Sequence, residues 1–220
     1  QIGVNHSPDV LLIAPVLFKG TLVGFCGSIA HKFDFGGAVP GSAHSGATEL
    51  FQEGLVLPIM KFYDRGKLVS QVEDVIRANV RNPDLVLGDL GAQIGATHLG
   101  IERVKSIAKR FGPEVMADAF EGTLAASEKR VKMHISRWPG KVAEAEAFLD
   151  PTPNHPRPVR IHLQVARDGG HLTFDFSKSD PQVRSPVNIS IPAVLRLSCI
   201  SLLGMTDPSI PENEGIARAV

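Results

Sequence analysis

Two apolar, β-prone runs joined by a two-residue connection constrain the fold of this chain more than any other feature. The runs cover residues 10–18 and 21–30, and Lys19-Gly20 lies between them. Two such runs around a short connection that contains glycine predict an antiparallel β-hairpin. The start of the chain is therefore expected to be a pair of strands with closely defined partners.

The predicted hairpin brings two histidines together at its open end. If Phe18 pairs with Thr21 and the register is constant, His31 lies opposite Pro8 and diagonal to His6. Residues two apart in a strand share a face, so both imidazoles lie on one side of the ladder. Diagonal Cα separations of roughly 7–8 Å are within the reach of long side chains and suit a bridging metal ion.

Asp9 is the third candidate ligand, although a regular strand would point it to the opposite face. Its participation requires a bulge or a strand that begins after Asp9, and Pro8 is compatible with either. Two imidazoles and a carboxylate leave open positions on zinc, iron or manganese. The alternative is a hairpin end at which both histidines simply form hydrogen bonds to the backbone. The residues alone leave both interpretations open.

A glycine- and serine-rich loop follows the hairpin at residues 34–46 and carries further polar candidates. Long loops in compact domains are often functional. Four side chains in or after this loop are candidates for orienting the ligands or lining a pocket: Asp34, His44, Glu49 and Glu53. Glu49 and Glu53 would share a face if their segment is helical. The alternative is a solvated loop that ends in a capped helical turn.

The remaining chain predicts an α+β fold: an N-terminal β-hairpin and site loop, a central helical layer, and a C-terminal β-rich part. Apolar periodicity, prolines and glycines delimit the elements. Helices are predicted over residues 69–80, 84–110, 113–138 and 191–203, and strands over residues 55–63, 143–149, 157–166 and 171–176. Alternation in the third of these strands places His162 on its solvent face. We expect residues 1–140 to contain the site and residues 141–220 to form the β-rich part of the same subunit.

Bulk properties exclude several functional classes. The basic residues lysine and arginine number 23, and so do the acidic residues aspartate and glutamate. The chain therefore has no net positive charge that would favour binding to nucleic acid or to an acidic membrane. The sequence shows no signal peptide, no membrane-length apolar run and no phosphate-binding glycine motif, which favours a cytoplasmic protein without a nucleotide site of its own. The chain begins with Gln1 rather than methionine, and we expect it to be a piece of a longer protein.

Short motifs occur in a fixed order along nearly the whole chain. They are His6-Ser-Pro-Asp9, Ala30-His31 to Asp34-Phe-Gly-Gly37, Pro40-Gly-Ser42, Ala47-Thr-Glu49 with Gln52-Glu-Gly54, Asn79-Val-Arg81-Asn-Pro83, Leu87-Gly-Asp-Leu90 with Ala92-Gln-Ile94, Asp175-Phe176, Ser179-Asp-Pro181, Pro186-Val-Asn188, and Ile210-Pro to Asn213-Glu-Gly215. Together they resemble the hydantoinase B/oxoprolinase family, which includes the large subunits of acetone and acetophenone carboxylases.

The resemblance implies that His6, Asp9 and His31 bind a divalent metal ion. Zinc and manganese are the first candidates, and iron is the third. The resemblance also implies that a carboxylate from upstream of this chain can add to this ligand set. The sequence departs from the family pattern at Gly91, where many members have arginine, and at His44. These departures bear on substrate identity more than on the metal.

The resemblance also implies a division of labour within a hetero-oligomer. An ATP-binding partner of the hydantoinase A type, with ATP and magnesium, would phosphorylate a carbonyl or amide oxygen. The metal subunit would then complete ring opening of a hydantoin, 5-oxoproline or lactam. The motifs around Glu49 look more like the hydantoinase side of the family. A ketone carboxylase and a non-catalytic structural subunit are the alternatives.

The implied reaction needs a basic side chain and oriented metal ligands. His44 is the hypothesis for the base, and Glu49 and Asp34 are the hypotheses for residues that orient the ligands. These three residues complete the predicted catalytic set.

Overall fold

The structure is a computed structural model that describes residues 6–220, and it contains two compact units. The first comprises residues 6–113 together with Arg184–Pro186, and the second comprises Glu114–Val183 and Val187–Val220. Helices and sheets occur in both, so the predicted α+β class is confirmed. The predicted functional division at residue 140 differs from this geometric division and stays a prediction.

The first unit begins with the predicted hairpin, which the structure confirms. Strand β1 covers Asp9–Phe18 and strand β2 covers Thr21–His31, and they pair antiparallel. Lys19 and Gly20 both have positive φ, at 50° and 84°. Two consecutive positive φ values match the right-handed twist of the strands, which explains why this dipeptide makes the turn.

The register of the hairpin differs from the constant one assumed for the sequence. Phe18 pairs with Thr21 as predicted, but Val16 pairs with Gly24, so Val23 is an extra residue in β2. Such a β-bulge shifts every later pair by one position. His31 consequently lies opposite Asp9, and the predicted pairing with Pro8 is wrong.

The rest of the first unit is largely helical. A short pair of strands, β3 (Tyr63–Asp64) and β4 (Lys67–Leu68), precedes helices α1 (Ser70–Asn79) and α2 (Pro83–Phe111). The strand predicted over residues 55–63 is wrong, because only its last residue pairs. Pro58 lies within this segment and cannot donate to a ladder.

The core of the first unit joins the hairpin, the loop after it and the two helices. Its buried members are Phe35, Val72, Ile76, Val80, Val86 and Leu90, with Val10 and Leu12 of β1 packed against them. Helix α2 packs along both strands of the hairpin. The β1–β2 face that carries Val10 and Leu12 is therefore fixed to α2, while the other face is exposed at Leu11 and Ile29.

The second unit combines two helices with a three-stranded sheet. Helix α3 covers Pro113–Ile135, and α4 covers Ile191–Met205. Strands β5 (Val142–Leu149), β6 (Val159–Asp168) and β7 (His171–Asp175) pair antiparallel in the order β5-β6-β7. Short 3-10 turns cover Pro40–Ser42 and Leu50–Gln52 in the first unit and Ala217–Ala219 in the second.

His162 corrects a prediction about the second unit. It was placed on the solvent face of its strand, but only 5% of it is exposed. Its Nε2 lies 3.7 Å from Glu144 Oε2 of β5. The segment after β7 runs beside its backbone, where the Ser179 hydroxyl accepts from the His162 N–H and donates to its carbonyl, both at 3.0 Å. Alternation along one strand gives no sign of these neighbours.

None of the helices within residues 6–220 combines the length and the hydropathy that a membrane-spanning segment needs.

Candidate metal site

The side chains of His6, Asp9 and His31 converge at the open end of the hairpin. His6 Nε2 lies 3.2 Å from Asp9 Oδ2, and the two imidazole centroids are 4.8 Å apart. One candidate ligand atom from each residue lies within 4.8 Å of the others. Within the part of the chain that the structure describes, this is the one such group of histidine, cysteine and carboxylate side chains.

Local structure explains why these three residues meet. His6 and Asp9 belong to one tight turn, in which the Asp9 N–H donates to the His6 carbonyl at 3.2 Å. The bulge at Val23 makes Asp9 and His31 direct partners across the ladder, and directly opposed residues share a face. A bulge was one of the conditions under which Asp9 could join the set, and it occurs at the turn end of β2.

The donor set and its spacing fit a divalent cation. Two imidazoles and one carboxylate suit zinc, iron or manganese and leave further positions open. Ligand atoms bonded at about 2.0–2.2 Å lie no more than about 4.4 Å apart. The observed limit of 4.8 Å therefore needs only small side-chain rotations to bind one ion. The site is also accessible, because 39% of the His6 side chain and 22% of the Asp9 side chain are exposed.

Two buried polar residues lie beneath the hairpin end and were not identified from the sequence. Lys32 is fully buried directly after His31, and Gln93 of α2 is 5% exposed. Burial lowers the pKa of the Lys32 ammonium, and the nearby Asp89 carboxylate opposes that shift. A lone lysine is typical of a protein surface, so composition gave no signal. For Gln93, the one signal in the sequence was its place in the Ala92-Gln-Ile94 motif.

Asp34 organises the glycine-rich loop. Its carboxylate accepts hydrogen bonds from the Gly36 N–H at 2.9 Å and the Gly41 N–H at 2.8 Å, and Arg81 forms an ion pair with it at 3.0 Å. Burial acts to raise the pKa of this carboxyl group, but the hydrogen bonds from Gly36, Gly41 and Arg81 outweigh it and hold the pKa below its ordinary value. These contacts account for the burial of Asp34, and its role toward the metal ligands stays a prediction.

His44 and Glu49 lie farther along the same loop, and their described hydrogen bonds are local. The His44 carbonyl accepts from the Ala47 N–H at 3.0 Å. Glu49 is exposed and precedes a 3-10 turn, where the Gln52 side chain accepts from the N–H groups of Thr48 and Glu49. The capped turn expected as the simpler alternative is thus present. The catalytic roles of both residues stay predictions.

The whole chain matches one family of known proteins. The profile of the family described as Hydantoinase B/oxoprolinase matches residues 1–220. The chain belongs to the hydantoinase B/oxoprolinase family.

Individual relatives agree with this assignment. A relative named as a D-/L-hydantoinase subunit, from Pseudomonas sp. (strain NS671), is 34% identical over 99% of this chain. The acetophenone carboxylase delta subunit of Aromatoleum aromaticum is 27% identical over 84% of it. The crystal structure of an ATP-dependent caprolactamase from Pseudomonas jessenii superimposes over 98% of the chain with a TM-score of 0.87 at 25% identity. The chain spans 39%, 28% and 37% of these three relatives, respectively.

Gly54 shows how a family motif supports the site. A Cβ atom on Gly54 would lie 2.9 Å from the Phe35 carbonyl oxygen and 3.0 Å from Cβ of Ser7. Ser7 is buried in the turn between the candidate ligands His6 and Asp9. The glycine of the Gln52-Glu-Gly54 motif therefore lets the loop pack closely against this turn.

Replacement of Asp34 by asparagine tests the organisation of the loop. We expect Asp34→Asn to lower the free energy of unfolding at pH 7 by about 1–3 kcal/mol, because buried N–H groups and Arg81 lose their charged acceptor. The pKa of Asp34 is lowered from 3.8, so its contribution is present above that value and is lost as the pH falls through the folded-state pKa. The difference between variant and wild type should therefore persist from pH 7 to about pH 5 and shrink below about pH 4.

Urea denaturation across this pH range measures the difference. Asp84→Asn is the control, because the Asp84 side chain is 87% exposed and pairs with Arg77 at the surface. It should change stability by less than about 0.5 kcal/mol. An Asp34→Asn variant as stable as wild type at pH 7 would contradict this description of the loop.

Proposed function

We propose that this chain is the metal-binding part of a subunit of an ATP-dependent cyclic-amide hydrolase. His6, Asp9 and His31 hold the divalent cation, which is zinc or manganese, with iron as the third candidate. The observation that carries the proposal is the convergence of these three side chains within 4.8 Å on an accessible face.

The relatives support the reaction class. Hydantoin and caprolactam, which appear in the names of two relatives, are both cyclic amides. The caprolactamase is ATP-dependent, and its matching chain is a beta subunit. We therefore propose a hetero-oligomer in which an ATP-binding hydantoinase A-type partner phosphorylates the amide oxygen with ATP and magnesium. The substrate is a hydantoin, 5-oxoproline or another lactam.

The residues of this chain then have distinct tasks. A bound divalent cation supplies Lewis-acid polarisation of the substrate oxygen. His6 and His31 contribute neutral nitrogen donors and Asp9 contributes one negative charge, so the site as a whole retains a positive charge that attracts an anionic, phosphorylated substrate. His44 is proposed to accept a proton from the water that adds to the phosphorylated amide carbon and to return it to the ring nitrogen as the C–N bond breaks. A second water then hydrolyses the resulting acyl phosphate to carboxylate and phosphate. Glu49 and Asp34 are proposed to orient the metal ligands.

A second candidate function is ATP-dependent carboxylation of a ketone. The relative that favours it is the acetophenone carboxylase delta subunit, which matches 84% of the chain. Bicarbonate separates the two functions: a carboxylase requires it for turnover of the organic substrate, whereas a cyclic-amide hydrolase opens its ring in bicarbonate-free buffer. Assay of the full-length protein with its partner subunit measures this directly.

Removal of both proposed imidazole ligands tests the metal site. We expect the full-length protein to contain close to one divalent metal ion per chain and the His6→Ala, His31→Ala double variant to contain almost none, because one carboxylate alone binds such ions weakly. Elemental mass spectrometry measures the content. His171→Ala is the control, since His171 is an exposed histidine outside the site.

Three results would contradict the metal site. They are equal metal content in the double variant and wild type, loss of metal in His171→Ala, and absence of metal from wild type after incubation with zinc or manganese. The last result, with turnover unaffected by His6→Ala, would favour the non-catalytic alternative.

Replacement of His44 tests the proposed base. We expect His44→Ala to lower kcat by about 10²–10⁴-fold, the usual contribution of a general base, while metal content stays unchanged. His155→Ala is the matched control, because His155 is a partly exposed histidine in a turn of the second unit. Turnover by His44→Ala at the wild-type rate would remove His44 from the mechanism.

A further inference from the structure

One glutamine side chain ties both strands of the hairpin to α2. Gln93 Nε2 donates hydrogen bonds to the Val10 carbonyl of β1 and to the Ser28 carbonyl of β2, each at 3.0 Å. Gln93 itself is 5% exposed. A single buried amide therefore bridges the two strands that carry the proposed metal ligands.

Lys32 completes the same network from the end of β2. Its Nζ donates to Gln93 Oε1, and its backbone N–H donates to the Pro8 carbonyl at 2.9 Å. Lys32 is fully buried. This residue thus joins the end of β2 both to α2 and to the turn that contains His6 and Asp9.

The chemistry of the partners fixes the orientation of the Gln93 amide. The carbonyl oxygens of Val10 and Ser28 can only accept, so the amide nitrogen must face them. The Lys32 ammonium can only donate, so the amide oxygen must face it. Each polar atom of the Gln93 side chain consequently has a partner that suits it.

The network and the proposed ligands occupy opposite faces of the same strand ends. Val10 follows Asp9, and Lys32 follows His31, while successive side chains in a strand alternate between faces. A slip of one residue between β1 and β2 would place Asp9 opposite Ala30 or Lys32, so that the Asp9 and His31 side chains would lie on different faces. A network that holds Val10, Ser28 and Lys32 to α2 opposes such a slip.

Packing alone does not require this pair of residues. Burial of an ammonium group carries a desolvation cost that an unbranched apolar side chain avoids. Buried ion and polar pairs can often be replaced by apolar residues without loss of stability. Their distinctive property is directional bonding, which specifies one arrangement of the strands.

We propose that Lys32 and Gln93 are positioning residues of the metal site, which hold His6, Asp9 and His31 in the arrangement that binds the cation. The inference rests on the proposed function, because it assigns a task relative to the proposed ligands. Neither residue touches the cation, and both act through the backbone of the hairpin.

Cobalt(II) binding to the metal-depleted full-length protein tests this role. The variants are Lys32→Met and Gln93→Met, which remove the polar bonds and retain side chains of similar length. Gln93→Glu is a third variant that keeps an acceptor for Lys32 but loses both donors to the strands, so it addresses the case in which a methionine variant does not fold. The measurements are the cobalt dissociation constant, the visible cobalt spectrum, and hydrogen exchange of residues 6–12 and 28–33.

Gly100→Ala is the matched control. An added Cβ at Gly100 would lie 3.1 Å from Cys26 Sγ, so this variant disturbs the contact between α2 and β2 without touching the polar network. Lys32→Arg, which retains a cationic donor, is the conservative variant.

We expect each of the three disrupting variants to bind cobalt about tenfold more weakly or worse, the range found for residues that orient metal ligands. The cobalt spectrum should change and hydrogen exchange at the hairpin end should accelerate. Gly100→Ala should leave all three readouts unchanged, and Lys32→Arg should restore part of the affinity.

The contrary results distinguish two failures. If wild type binds cobalt measurably but no more tightly than the disrupting variants, the positioning role is overturned and the metal site is not. Wild type that binds no cobalt overturns the metal site and this inference with it. An equal loss of affinity in Gly100→Ala shows that general weakening of the interface is the cause and also overturns the positioning role.

Discussion

The register of the β1–β2 hairpin is the constraint on which the candidate site depends. One extra residue, Val23, makes Asp9 the direct partner of His31. Because side chains in a strand alternate strictly, an unbulged pairing would direct these two residues to different faces. The turn that contains His6 then brings the second imidazole to the same place. A local irregularity near the hairpin turn therefore determines which side chains meet at its open end.

Two neighbouring structures hold that end of the hairpin within the first unit. Helix α2 bonds to both strands through Gln93, and the loop after β2 packs Gly54 against Ser7. The loop is itself fixed by the carboxylate of Asp34, which Arg81 and two backbone N–H groups share. Several motifs that identify the family thus support the turn of His6 and Asp9 and contribute none of the proposed ligands themselves.

The sequence allowed the α+β class and most helices and strands to be predicted, because apolar runs and punctuation such as Lys19-Gly20 are local signals. The bulge at Val23 was missed, since one extra residue leaves no mark in an almost wholly apolar run. The strand predicted across Pro58 was wrong, because the prediction gave more weight to the apolar residues of this segment than to the backbone N–H that proline lacks. The burial of His162 and of Lys32 depends on segments distant in sequence, which periodicity cannot reveal. The three proposed ligands came from the hairpin geometry together with the family resemblance.

One cation is proposed to bind between His6, Asp9 and His31. Anomalous diffraction from crystals of the full-length protein, collected on both sides of the absorption edge of manganese or zinc, would locate it. We expect an anomalous peak within bonding distance, about 2.0–2.2 Å, of one atom from each of the three side chains. A peak at a different group of residues, or no peak in crystals grown with the metal in excess, would contradict it.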